Sequence, residues 1–163
     1  EVESSLNDLL LPVLGINTSD AQTYQLALFD TFQRHDLAAL EAHLKALYAG
    51  LPHDWYRNNP IAKYEGHYAS VFYSHFAALG LDVTVEDASH HGKVDMSVDF
   101  GGHIYLFEFK VVEQLPEGKA LEQIKHKGYA DKHRASGKPI HLIGVEFSSV
   151  ERQIVAFEVE TLA

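Results

Sequence analysis

The chain has no cysteine, which excludes both a disulfide framework and a thiolate zinc site. Positive charge is scarce: thirteen Lys and Arg stand against twenty-three Asp and Glu, for a formal net charge of −10 at pH 7. That balance argues against a simple nucleic-acid binder, which usually carries a basic footprint. No stretch approaches the ~20 apolar residues of a membrane-spanning helix, and no basic, then apolar, leader opens the chain. A cytoplasmic location and no membrane partner are therefore expected. Internal repeats and low-complexity tracts are missing as well. Eleven histidines invite a zinc reading, but no His-Glu-x-x-His occurs. His90 and His91 are adjacent and point to opposite faces if extended, while His67 and His75 are eight apart.

What is present is a chain of 163 residues with an apolar share of 46%, enough for one domain with a proper core. It opens Glu1-Val2-Glu3 without methionine, which suggests a piece of something longer. Residues 2–14 read as a helix limited by Pro12. Asp20 is expected to cap a second helix carrying Tyr24, Leu28 and Phe32. Asp36 should cap a third carrying Leu37, Leu40, Leu44 and Leu47, which Gly50-Leu51-Pro52 ends. A longer helix over 60–79 follows, through Ile61, Tyr64, Tyr68, Phe72, Phe76 and Leu79. Three strands are predicted at 81–87, 93–100 and 103–112, then a helix over 117–135 and strands at 139–147 and 152–160. Residues 1–58 read as a helical N-terminal extension and 59–163 as the main domain. Strand 139–147 is nearly all apolar, so it should lie buried beside 103–112.

The segment from Gly92 to Lys110 carries the most information. Val94, Met96, Val98 and Phe100 alternate with Asp95, Ser97 and Asp99, and the Gly101-Gly102 pair signals a two-residue hairpin turn. With Phe100 facing His103, counting back sets Asp95 opposite Glu108, and Lys110 shares the face of Glu108. Carboxylates directly opposite each other have Cβ atoms roughly 4.5–5.5 Å apart, a destabilising pairing unless something neutralises it. A hard divalent cation does so, because Mg²⁺ favours one or two carboxylates together with water and phosphate oxygens. A neighbouring lysine can then stabilise a nucleophilic water or developing negative charge. The set points to a metal-dependent phosphodiesterase site.

Asp95, a hairpin and then Glu108-Phe109-Lys110 resembles the PD-(D/E)xK nuclease superfamily. More narrowly, it resembles the nuclease-like domain at the C-terminus of bacterial proteins with an AAA-ATPase-like module upstream. Tyr64-Glu65-Gly66-His67-Tyr68, Gly92-Lys93-Val94-Asp95, Ala120-Leu121-Glu122-Gln123-Ile124 and Ile143-Gly144-Val145-Glu146-Phe147-Ser148 carry that narrower match, over roughly residues 60–160. Val94 replaces the proline of the superfamily name; that residue does no chemistry. The resemblance implies a restriction-endonuclease-like α/β core, ordered α-β-β-β-α-β-β, with a mixed sheet flanked by helices. It implies Mg²⁺ or Mn²⁺ as cofactor, DNA (or RNA) as substrate, and the ATPase-like module as partner. Asp95 and Glu108 would be metal ligands and Lys110 the electrostatic catalyst. Glu65 would add to the metal site, and Gln123 would position substrate or site.

Several of these residues have a plainer reading. Glu65 lies in the apolar stripe of its helix, between Ile61 and Tyr68, where a carboxylate is costly unless paired, metal-bound or able to reach solvent at the stripe edge. Gln123 borders the apolar sector of Ala120, Leu121 and Ile124, where a capping or surface glutamine is the alternative, and Lys127 is one turn further on. Tyr129 reads as a packing residue, as do Trp55, Tyr56, Tyr64, Tyr68 and Tyr73, and His103 as exposed at the hairpin. Lys119, Lys125, Lys127, Lys132, His133, Arg134 and Lys138 form either a basic patch or a solvated helix face. The competing functional class is a non-catalytic nucleic-acid or protein interaction module that keeps the nuclease fold.

Overall fold

Asp36 caps a helix as its sequence predicts: its Oδ1 accepts the backbone N–H of Ala39 at 2.9 Å. The computed structural model describes residues 18–49, 72–73, 76–77, 81–89 and 92–162. Within them, helix α1 (Thr18–Gln33) and helix α2 (Leu37–Ala49) are followed by strands β1 (Asp82–Ser89), β2 (Gly92–Phe100) and β3 (His103–Val112). Helix α3 (Lys119–His126), the short α4 (Asp131–Arg134), β4 (Ile140–Ser148) and β5 (Gln153–Leu162) complete the order. The strands form one five-stranded sheet in sequence order, antiparallel except for the parallel β3–β4 pair. This is a restriction-endonuclease-like α/β fold, a mixed sheet flanked by helices.

The alternation of side chains along β3 divides the core between two faces. Tyr105, Phe107 and Phe109 join Met96, Val98, Ile143, Val145 and Phe147 against Leu28, Phe32, Leu40, Leu44, Phe72 and Phe76. Residues 72–73 and 76–77 are helical, as expected. The other face packs Ile104, Leu106, Ile140 and Leu142 under Ile124, Tyr129 and Ala130. Strand β4 is buried at every position and lies beside β3, as its apolar run predicts.

Two buried features on β4 hold α3 down. A Cβ on Gly144 would lie 2.3 Å from the backbone nitrogen of Leu121, so only glycine lets α3 approach the sheet this closely. Glu146, 0% exposed, accepts the backbone N–H groups of Glu117 at 2.6 Å, Lys119 at 2.7 Å and Ala120 at 3.3 Å. The N-cap residue Gly118 has no side chain to offer, and the carboxylate from the sheet takes over that task.

The structure corrects three expectations. The helix expected over 117–135 is two helices, because Gly128 takes a left-handed φ of 59° that breaks the run before α4. Asp20 lies in the first turn of α1, which begins at Thr18, and not at its cap. His103 is half-buried rather than exposed. Its ring stacks on His35, with centroids 3.5 Å apart, and its Nδ1 shares a 2.7 Å hydrogen bond with Nε2 of His141. His141 Nδ1 in turn bonds Thr161 Oγ1 at 2.9 Å, and His35 Nδ1 bonds the Tyr105 hydroxyl at 2.7 Å. The expectations for residues 2–14, for Gly50-Leu51-Pro52, for most of 60–79 and for His90 and His91 lie outside the described residues.

Gly144→Ala should destabilise the fold by about 1–3 kcal/mol or more, the cost of overpacking, read from urea denaturation. Acid should act through the histidine chain. Burial, and then the charges of His103 and His35, pull His141 down from 6.5 to about 4. The unfolded chain therefore binds more protons between these values, so this contribution is complete above pH 6.5 and lost as pH falls toward 4. The Tm of wild type should drop by several degrees across that window, and His141→Gln should flatten this part of the slope.

Candidate active site

The β2–β3 ladder runs from Phe100 opposite His103 to Met96 opposite Phe107, the register predicted from the glycine turn. The ladder ends there, and continuing its count by one residue sets Asp95 across from Glu108. There, Asp95 turns its carboxylate to the neighbouring backbone, and Oδ2 accepts the N–H of Phe109 at 2.8 Å. The aspartate is thereby fixed between the two strands, on the same sheet face as Ser97, Asp99 and Glu108.

Glu108 is 2% exposed. Gln123, carried over it by α3, donates from Nε2 to Glu108 Oε1. Lys110 Nζ lies 3.8 Å from the same oxygen. The other oxygen, Oε2, is buried and has no hydrogen-bond partner among the described residues. A buried acceptor left so costs about 1–3 kcal/mol, more when charged. Burial first, and the charge of Asp95 second, push the Glu108 carboxyl up to about 8; Lys110, Lys127 and the Asp95 backbone pull the other way, and burial prevails.

Lys127 caps the C-terminus of α3, its ammonium 5.8 Å from the centre of the Tyr129 ring. The Tyr129 hydroxyl is the first cause raising its pKa, and the charges of Glu108 and Asp95 add to it. Tyr129 itself is buried, as a packing residue should be. Most of the other basic residues nearby are engaged. Lys119 pairs with Glu117, Lys125 with Glu160, Arg134 with Asp131 and Lys138 with Asp99. The basic run is therefore largely neutralised by local carboxylates.

Four of the five site residues expected from sequence thus come together: Asp95, Glu108, Lys110 and Gln123. Glu65 lies outside the described residues. Sequence reasoning missed Gly144 and Glu146, which position α3 and with it Gln123. The one available signal was a lone acid and a lone glycine inside a nearly all-apolar strand. Among the described residues no three His, Cys, Asp or Glu side chains converge on a metal position. Asp95 and Glu108 supply two hard oxygen donors, and the orphaned Oε2 is an acceptor in want of a cation, so the pair fits a hard divalent cation.

Residues 63–157 match the PD-(D/E)XK nuclease superfamily. The chain belongs to that superfamily. Its members typically use divalent metals, in keeping with the donor set at Asp95 and Glu108. The chain is also 57% identical, over 162 residues, to an uncharacterized protein in the vnfD 5' region of Azotobacter chroococcum mcd 1. That similarity covers 99% of this chain but 31% of the relative, so the chain spans about a third of that protein's length. No solved structure matches it. None of the described helices is long and apolar enough to cross a membrane.

The raised Glu108 sets a second pH dependence, of opposite sign to that of His141. Without divalent metal the native state keeps its proton to about pH 8 while the unfolded carboxyl loses it near 4.5. Stability from this group is complete below pH 4.5 and lost as pH rises through 8. Melts in chelator should show that decline in wild type and its absence in Glu108→Gln.

Proposed function

We propose that this chain is a divalent-metal-dependent nuclease domain that hydrolyses phosphodiester bonds, with DNA as the expected substrate. The observation that carries this reading is the buried Glu108 Oε2, unpartnered among the described residues and beside Asp95 and Lys110. A fold rarely retains so costly a group in its core without use for it.

Asp95 and Glu108 would hold Mg²⁺ or Mn²⁺. The ion, when bound, supplies Lewis-acid stabilisation of the phosphoryl oxygens and acidifies water. Gln123 orients Glu108 by occupying Oε1, which leaves Oε2 for the site. The Phe109 N–H does the same for Asp95 by occupying Oδ2. Lys110 stabilises the negative charge that builds on the phosphoryl oxygens as water adds to phosphorus and the bond to the leaving oxygen breaks. Lys127 adds a second cation at the rim, attractive to a phosphodiester. Glu65 would join the metal site from the helix expected over 60–79.

The chain's share of its relative leaves room for further modules in that protein, and the resemblance noted above makes an upstream AAA-ATPase-like module the proposed partner. We place the nuclease domain at 59–163, with 1–58 as a helical extension, in a cytoplasmic protein. One observation favours a second reading, an interaction module on the same fold: the net charge of −10 together with the pairing of Lys119, Lys125, Arg134 and Lys138 weakens autonomous DNA binding.

Thermal melts and digestion assays separate the two. Mn²⁺ at a hundred times its Kd should stabilise wild type by about 2.7 kcal/mol, seen as a Tm rise of several degrees. Asp95→Asn should lose most of that rise and all cleavage. Lys110→Ala should keep or enlarge the rise, because a competing cation is gone, while cleavage stops. Wild type that shows neither metal stabilisation nor digestion of plasmid, single-stranded DNA or RNA leaves the interaction module as the function.

A further inference from the structure

The sheet face that carries Asp95 and Glu108 continues into a cleft of about 220 Å³. Asp82, Thr84, Ser97 and Asp99 line it from the strands, and Lys132 and His133 from α4. Across the β1–β2 ladder Asp82 faces Asp99 and Thr84 faces Ser97, so these four side chains form one patch. Asp99, with Asp82 opposite it, is four residues from Asp95, roughly 14 Å along the strand at about 3.4 Å per residue. A strand laid along β2 with one phosphate at Asp95 and Glu108 therefore brings a nearby nucleotide to the cleft.

The lining decides which part of that nucleotide enters. Asp82 and Asp99 bring negative charge to the floor, which Lys138 and Lys132 partly offset. Asp99 is engaged by Lys138, at 2.7 and 2.5 Å to its two oxygens. Asp82 has no hydrogen bond or ion pair from its carboxylate to any described residue. An ionised carboxylate only accepts hydrogen bonds, so its complement is a neutral group rich in N–H donors. The volume lies below the roughly 300–1,000 Å³ of pockets for drug-sized ligands and suits a single planar base.

We propose that this cleft is a base-reading subsite of the phosphodiester site. It takes a nucleobase near the scissile bond and favours cytosine, adenine or guanine over thymine or uracil. Amino-bearing bases offer exocyclic N–H donors to Asp82, whereas thymine offers only its N3–H, flanked by two oxygens that the carboxylate repels. The base must leave its stack to enter, so the substrate there is single-stranded or frayed. This inference rests on the nuclease reading and extends it to substrate choice.

The test titrates the whole chain with 5′-labelled oligo(dC) and oligo(dT) of equal length by fluorescence anisotropy, with Ca²⁺ in place of Mg²⁺, and then assays both for cleavage in Mn²⁺. Wild type should bind oligo(dC) about fivefold more tightly or better, the lower end of one good base contact. Asp82→Asn, whose amide accepts and donates, should bring the ratio close to one with Tm and the Mn²⁺-induced rise unchanged, since Asp82 is exposed. Equal binding of the two oligonucleotides by wild type, or a preference that survives Asp82→Asn, overturns the subsite. Cleavage without base preference removes the subsite and leaves the nuclease. Preference lost in Asp82→Asn, without cleavage by wild type, supports the subsite and removes the nuclease. Failure to bind either strand overturns the subsite, whatever the cleavage result.

Discussion

The close docking of α3 on β4 is the constraint on which the site depends. Glu146 is a fully buried carboxylate with three backbone donors from residues 117, 119 and 120 as its solvent. Burying such a charge costs several kcal/mol. Hydrogen bonds to a charged group return about 1.5–3 kcal/mol each, and the helix N-terminus adds its own field. Beside it, Gly144 sets the height of the helix above the sheet. Direction comes from Glu146 and distance from Gly144, and together they bring the Gln123 amide onto Glu108.

The sheet thus carries two buried glutamates on neighbouring strands with opposite fates. Glu146 is satisfied on both oxygens and serves the fold. Glu108 is satisfied on Oε1, while Oε2 meets no described donor, and Asp95 opposite makes its ionisation harder still. Local rules of stability hold at Glu146 and fail at Glu108, whose second oxygen is left without a described partner. Lys110 at 3.8 Å eases the charge without cancelling it.

How much of this was legible in the sequence follows from how local each cause is. The Gly101-Gly102 turn and the alternation from Val94 to Phe100 specify the β2–β3 register within twenty residues, so the placing of Asp95, Glu108 and Lys110 could be counted. The apolar run of β4 announced a buried strand beside β3. The role of Glu146 could not be read, because its partners lie more than twenty-five residues away and are backbone groups without a side-chain signature. The ring chain from Tyr105 through His35, His103 and His141 to Thr161 escaped for the same reason: it joins a helix turn to three strands. The expected helix over 117–135 ran through Gly128, whose left-handed φ separates α3 from α4.

The parallel β3–β4 pair bears on the order in which the molecule assembles. The hairpin that holds Asp95 and Glu108 closes through a two-residue turn and can form early, because short loops lose little entropy on closure. Gln123 is different. Its helix has no side-chain N-cap of its own and waits for Glu146, on a strand that enters the sheet only after a crossover of nearly thirty residues. Such non-local pairings form late in folding. A nascent chain halted before β4 would thus display both carboxylates but no amide to orient Glu108, so the site matures only when the crossover has closed. The covalent order of the chain acts as a timer on the site, with β4 as its last tick.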